Sequence, residues 1–240
     1  MKLTFLGTRG EIEGRNARHY RHTSTLVTYH RRSVMLDCGA DWAEEMYQVR
    51  PNAIVITHSH PDHAWGLKHG APCPVYATPD AWRAMADYPI DVRVTIEPRS
   101  PLCIEGIQFE AFTVEHSTRS PAVGYRITAG RASVFYAPDL VYIHEREPAL
   151  HGIRLYIGDG ATPSRSFVRK RDDRLIGHTP VRTQLTWCEK LGVPEAIITH
   201  CGSQIVKGDE GQIAVQLDEW GKERGVIAGI AHDGMERILR

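Results

Sequence analysis

Thr57-His58-Ser59-His60-Pro61-Asp62-His63 is the stretch on which the reading of this chain turns. Ahead of it runs Ala53-Ile54-Val55-Ile56-Thr57, an apolar, β-branched segment that predicts a buried strand over 53–57. Pro61 suits the first position of a helix, where its missing N–H costs nothing. The side chains between therefore sit on a loop at the carboxyl end of a strand, where open α/β sheets place their ligands. In an extended loop His58 and His60 point the same way, because side chains repeat every two residues. After the turn at Pro61, Asp62 and His63 can aim at a second point a few ångströms away. One stretch can thus serve two metal ions. Histidine is common in this chain, 13 of 240 residues, and a scattered histidine is usually a surface or core residue. A chance His-x-His-x-Asp-His at this composition is expected in only roughly a few chains per thousand, so metal binding is the stronger reading.

A chain of 240 residues can bury a sizeable core, and no linker or repeat divides it, so one domain over 1–240 is expected. Basic and acidic residues balance at 29 each, and the overall field favours neither nucleic acid nor a membrane surface. Five cysteines without a close C-x-x-C pair argue against a disulfide framework or a cysteine zinc knuckle, and point to a reduced, cytoplasmic protein. The start, Met1 to Gly7, reads as a strand rather than a signal peptide, and no apolar run approaches membrane-spanning length. The sequence leaves the oligomeric state open, a homodimer among the options.

Around the histidine loop the pattern predicts strands near 2–6, 24–30, 33–37, 74–78, 92–96, 107–114, 122–128, 132–136, 153–157, 195–199, 226–230 and 236–239. Helices are expected near 41–49 and from Pro79 towards Asp87. Another should open at Thr179-Pro180 and end at Gly192, and one should be capped by Asp209 with Gln212. Runs of strands with helices between the later ones suggest a layered α/β domain. Several strands end on a metal-ligand residue: His116 after 107–114, Asp139 after 132–136, and His200 after 195–199. Asp37 closes the strand 33–37, and His178 stands just before a helix.

With these residues in place, the chain resembles the metallo-β-lactamase superfamily. His58-x-His60-x-Asp62-His63 is similar to that family's signature, and Leu36-Asp37-Cys38-Gly39 to its first motif. The resemblance implies a four-layer αβ/βα sandwich of two mixed sheets with a dinuclear site at one edge. It assigns His58, His60 and His116 to one metal, Asp62, His63 and His200 to the other, and Asp139 to both. Zinc is the family's commonest metal, with manganese or iron as the others; imidazole and carboxylate donors suit all three. Two such cations lower the pKa of a shared water and clamp a displacement. Asp37 would fix the ligand loop through hydrogen bonds.

Ile176-Gly177-His178-Thr179-Pro180 with Ile198-Thr199-His200 resembles the phosphodiesterase branch, which includes ribonuclease Z and cyclic-phosphate phosphodiesterases. That likeness makes His178 a catalytic aid to the leaving group, oriented by Asp159, with Asp62 also at the reacting centre. Only 22 residues separate His116 from Asp139, too few for the tRNA-binding arm of bacterial ribonuclease Z. The cysteines for the extra zinc of the cyclic-phosphate enzymes are missing too. His232 and Asp233 are expected beside the metals, His232 as a rival to His200. Arg18 and Arg21 after the first strand, and Arg165 and Arg169 after 153–157, are expected to recognise phosphate bidentately, with Tyr20 stacking a base. The substrate class is then a phosphodiester of nucleic acid, in an exonuclease, or a small nucleotide or cyclic diester. The alternatives are a hydrolase of lactone, thioester or β-lactam on the same fold, and a metal-binding subunit without activity.

Overall fold

The computed structural model describes residues 1–240. Two mixed sheets face each other. In the first, seven strands run in the order Glu236–Ile238, Lys2–Gly7, Ser24–Tyr29, Arg32–Leu36, Ala53–Val55, Val75–Ala77 and Arg93–Thr95. The second orders Tyr142–Ile143, Ile107–Glu115, Ala122–Ala129, Ala132–Tyr136, Leu155–Asp159, Glu195–Thr199 and Ile227–Ile230, with Leu102–Ile104 paired onto Ile107–Glu115. From Arg32–Leu36 onward the first sheet is parallel, and so is the second from Ala132–Tyr136 onward. Parallel strands are covered on both faces, and their sequences are correspondingly continuous apolar runs.

Three apolar clusters define four layers. The first lies between the sheets and joins Phe5, Leu36 and Val55 to Phe109, Tyr125 and Ile157. A second packs the outer face of the second sheet under the Val181–Lys190 helix, through Phe135, Tyr156, Leu185 and Cys188. The third packs Met35, Ile54 and Ile56 under Trp42, Met46 and Leu67. The expected αβ/βα sandwich is therefore present. All five cysteines are free, and no helix is long and apolar enough to cross a membrane.

Several boundaries differ from the sequence reading. The helix near 41–49 is two pieces, a 3₁₀ turn Ala40–Trp42 and a single α-turn Met46–Val49. Trp42 and Met46 are both buried, and Arg50 closes the second piece in the left-handed region at φ 51°. The strand over 53–57 stops at Val55, because the Thr57 amide leaves the ladder for a carboxylate of Asp37. Residues 153–157 shift to Leu155–Asp159. Thr179 does not cap the next helix: Pro180 holds that position, and the Val181 amide bonds to the Thr162 carbonyl at 3.1 Å. Asp209 does cap its helix, accepting from the Gln212 amide at 3.0 Å. A hairpin of Arg169–Arg171 and Arg174–Ile176 has no apolar alternation and was not legible; neither were the short helices Arg146–Leu150 and Ser203–Val206.

Candidate dinuclear metal centre

The carboxyl ends of the parallel strands of both sheets meet at one edge, and the ligand-type residues emerge there. Asp37 organises the first of them. It sits at φ 61° just past Arg32–Leu36, and its buried carboxylate accepts from the Thr57 amide at 2.8 Å and the Thr57 hydroxyl at 2.9 Å. It also bonds to His63 Nδ1 at 2.9 Å, which leaves Nε2 as the free ring nitrogen. The one-turn helix Pro61–Ala64 then carries Asp62 and His63 towards a second set of donors, with the His63 ring still 4.2 Å from that of His58. Gly39 lets this turn approach: a Cβ there would lie 2.0 Å from the Asp62 carbonyl oxygen.

Two sets of donors result. His58, His60 and His116 converge with Asp139, and Asp62, His63 and His200 converge with the same Asp139. His60 Nδ1 lies 3.0 Å from both His58 Nε2 and His116 Nε2. Tetrahedral zinc at about 2.0–2.1 Å from nitrogen would set such atoms about 3.3–3.4 Å apart. Oδ2 of Asp139 is 3.5 Å from His58 Nε2 and 3.6 Å from both His63 Nε2 and His200 Nε2, so one oxygen faces both sets. His200 Nε2 and Asp62 Oδ2 are 3.0 Å apart. His63 Nε2 is buried with no hydrogen-bond partner. An orphaned imidazole nitrogen aimed among carboxylates is what a cation site requires, and these donors fit zinc, manganese or iron.

Charge divides the two sets. Burial, with the neighbouring histidines, pushes His60 down to about 4 and His58 well below its ordinary value, so both are neutral at physiological pH. Burial also disfavours charge on His63, but Asp62 and Asp37 outweigh it and raise His63 to about 10. His200 is raised in the same way, against its burial, by Asp139, Asp159 and Asp62. Desolvation opposes charge on Asp139 too, yet His116, His200 and His178 hold its carboxyl well below the usual range.

His178 and Asp159 stand beside these sets. Asp159 is fully buried, and its oxygens accept from the Ala161 amide at 2.8 Å, the Leu140 amide at 3.1 Å and His178 Nδ1 at 2.8 Å. These three bonds make Asp159 a positioner of His178, and Asp139, Asp159, His178 and His200 form a third group of converging donor atoms. His178 Nδ1 is also 2.9 Å from Asp139 Oδ1. Burial lowers the His178 pKa, but Asp159 and Asp139 more than reverse this and bring it to about 11.

The site opens into a cleft of about 500 Å³ that His60, Asp62, His116, Asp139, His178 and His200 line on one side. The other walls hold residues that the sequence reading missed: Glu11, Ile12, Phe167, Ser203 and Gln204. Phe167 is half exposed, and Gln204 has a buried side-chain oxygen with no partner. Burial, followed by Asp62, raises the Glu11 pKa. Gly10 passes so close to His200 that a Cβ would lie 3.0 Å from its ring.

Four expected phosphate-binding arginines are not in this cleft. Arg18 spends its Nε on both oxygens of Glu210, at 3.0 and 2.9 Å. Arg21 pairs with Glu45 at 2.8 Å and lies over the Trp42 ring. Arg165 and Arg169 are exposed on the segment around Phe167, with neither side chain on the cleft wall. Tyr20 is exposed elsewhere, next to Arg15. His232 is likewise outside both donor sets; its Nδ1 meets the Asp233 carbonyl at 3.1 Å. Asp233 does a different job, accepting from Thr8 Oγ1 at 2.7 Å and from the Tyr20 and Arg21 amides at 2.9 and 3.0 Å, which ties down the first loop.

The family description "Beta-lactamase superfamily domain" matches residues 32–201, and the chain belongs to that superfamily. Solved structures of similar shape include the metallo-β-lactamase fold protein YhfI of Bacillus subtilis, at TM-score 0.75 and 17% identity over 98% of both chains. A diphosphatase of the PhnP family aligns at TM-score 0.72 and 18% identity, over 100% of this chain and 98% of that one. Zn(2+)-bound PqqB from Methylobacterium extorquens aligns at TM-score 0.75 and 18% identity over 100% of both. At these identities the likeness is one of fold. No curated protein matches the chain.

Proposed function

We propose that the protein is a dinuclear metal-dependent phosphodiesterase acting on a small nucleotide or cyclic phosphate diester. One observation carries the reading: His178 lines the cleft beside both donor sets while Asp159 holds its Nδ1 at 2.8 Å, leaving Nε2 free to give a proton. Cations held by the two sets would neutralise phosphate charge and acidify a water to serve as nucleophile. The chain's own residues do the rest. Asp37 and Asp159 fix the imidazoles in one tautomer each. As water attacks phosphorus and the ester P–O bond breaks, the proton on His178 Nε2 passes to the departing oxygen. A His178 pKa raised to about 11 means that the donor form is present below that pH and is lost as pH rises through it. Binding of a cation to Asp139 would neutralise one of the two carboxylates responsible and lower that value.

A small diester suits the cleft better than a nucleic acid strand. No lysine or arginine lines it, and the carboxylate of Glu11 would repel a run of backbone phosphates. Phe167 offers an apolar face for a base or aryl group, with Ser203 and Gln204 as hydrogen-bonding partners. The relative described as a PhnP-family diphosphatase supports phosphate chemistry on this fold. The test is hydrolysis of bis-p-nitrophenyl phosphate with zinc or manganese, beside cyclic nucleotides, single-stranded DNA and an acyl ester panel. Turnover of the small diesters that Asp62→Ala abolishes is expected. Preferential turnover of the acyl esters, insensitive to His178→Ala, would replace the proposal with a lactone or thioester hydrolase.

A further inference from the structure

A second concavity, of about 450 Å³, lies on the outer face of the Val181–Lys190 helix, apart from the metal-type residues. Four residues of its wall are cationic, Arg146, Arg182, Lys190 and Arg224, and none is acidic. The helix supplies its share in register: Arg182, Thr186 and Lys190 fall at i, i+4 and i+8, on one stripe. Several arginines elsewhere in this protein are matched, as Arg9 is by Asp41, Arg18 by Glu210 and Arg237 by Glu195. Here only Arg224 has a carboxylate, that of the exposed Glu223 at 3.0 Å.

Two of the four cations are held in place by the fold. The Arg146 guanidinium lies 4.4 Å from the Trp187 ring centre and 4.7 Å from that of Tyr142, and its Nε is buried with no hydrogen-bond partner. Arg224 donates from Nε to Thr186 Oγ1 at 3.1 Å and from Nη1 to the Trp220 carbonyl at 2.9 Å. Hydroxyls of Ser164 and Thr183 complete the wall as neutral donors. Unmatched cations gathered in a concave site repel one another and focus a positive potential, a combination that an anion of matching size relieves. Forked guanidinium groups with hydroxyls are the donors that a tetrahedral oxyanion takes.

We propose that this concavity binds a phosphate group, either as the free anion or as the terminal phosphate of a small ester. Its occupant would touch both segments that flank the cleft. Ser164 lies between Ala161 and Phe167, which line the cleft, and Pro180 follows His178 by two residues. The proposal stands on its own geometry and holds whatever reaction the cleft performs.

The test is calorimetric titration of the metal-loaded protein at low ionic strength, with inorganic phosphate in one arm and methyl phosphate in the other. The wild type should show two classes of site, one in the cleft and one in the concavity. In Arg182→Ala/Lys190→Ala, both exposed positions, the second class should weaken at least about 10-fold, as removal of a charge-assisted donor does. Turnover of bis-p-nitrophenyl phosphate should stay at the wild-type level. Asp62→Ala should lose the cleft class and keep the other. Binding of both ligands, or of inorganic phosphate alone, identifies the free anion as a sufficient ligand, whereas binding of methyl phosphate alone identifies the ester. Absence from the wild type of any class that the double substitution weakens overturns the proposal.

Discussion

Replacing His178 with alanine separates proton donation from everything else the cleft does. The imidazole is anchored through Nδ1 at 2.8 Å from Asp159 and carries a pKa of about 11, four units above neutral. With Asp139 free of metal the ring therefore carries its donor proton at neutral pH, and a cation on Asp139 brings the pKa down from there. A positioned general acid contributes about 10²–10⁴ in rate, equivalent to roughly 2.7–5.4 kcal/mol of transition-state stabilisation. That contribution depends on how much the departing oxygen needs a proton. A nitrophenolate needs little, and an alkoxide needs nearly all of it. His178→Ala should therefore slow an alkyl phosphodiester by about 10²–10⁴ in kcat and bis-p-nitrophenyl phosphate by less than about 10-fold. The assay is steady-state kinetics of both substrates with the metal content of the variant measured alongside. Equal losses on the two substrates at unchanged metal content would refute the role.

Other expectations follow from the same geometry. Asp37→Ala strands three buried donors, from Thr57 twice and His63 once, at about 1–3 kcal/mol each, so chemical denaturation of the metal-depleted protein should show a loss of about 3 kcal/mol or more. Asp37→Asn should weaken the cation facing His63 by about 10–100-fold, read by competitive chelation. Arg18→Ala and Arg21→Ala remove exposed ion pairs with Glu210 and Glu45, each worth at most about 1 kcal/mol, and should leave kcat/KM on small diesters within about 2-fold. Metal loading should be stepwise in pH. His58 and His60 are already neutral, so neither has a proton to give up to the first cation. The second must displace protons from His63 and His200, whose raised pKa values keep them charged at neutrality, so its affinity should fall about tenfold or more per unit of acidification. Equal proton release for the two steps would contradict that division.

Much of this arrangement is written in short-range sequence. The strand Ala53–Val55, the turn at Pro61 and the spacing of His58, His60, Asp62 and His63 lie within a dozen residues, and each other ligand candidate follows its own apolar strand. Asp159 was legible as a partner of His178 only through resemblance, since a Gly-Asp-Gly turn reads the same way. The substrate side was not legible. Arg18 finds its carboxylate 192 residues away, and no local pattern distinguishes a paired guanidinium from a free one. Glu11 and Phe167 sit in loops whose residues carry no periodicity, and only the closing of two sheets brings them to one cleft. The predicted helix over 41–49 is split into a 3₁₀ turn and a single α-turn, although Trp42 and Met46 are both buried as the i, i+4 spacing of the pattern implies.

The most direct test of the account is diester hydrolysis measured as metal is returned to the depleted protein, with bound metal counted per chain. The sharing of Asp139 between two donor sets predicts that activity rises mainly with the second equivalent and stops rising there. Full activity at one equivalent, or none at two, would contradict it.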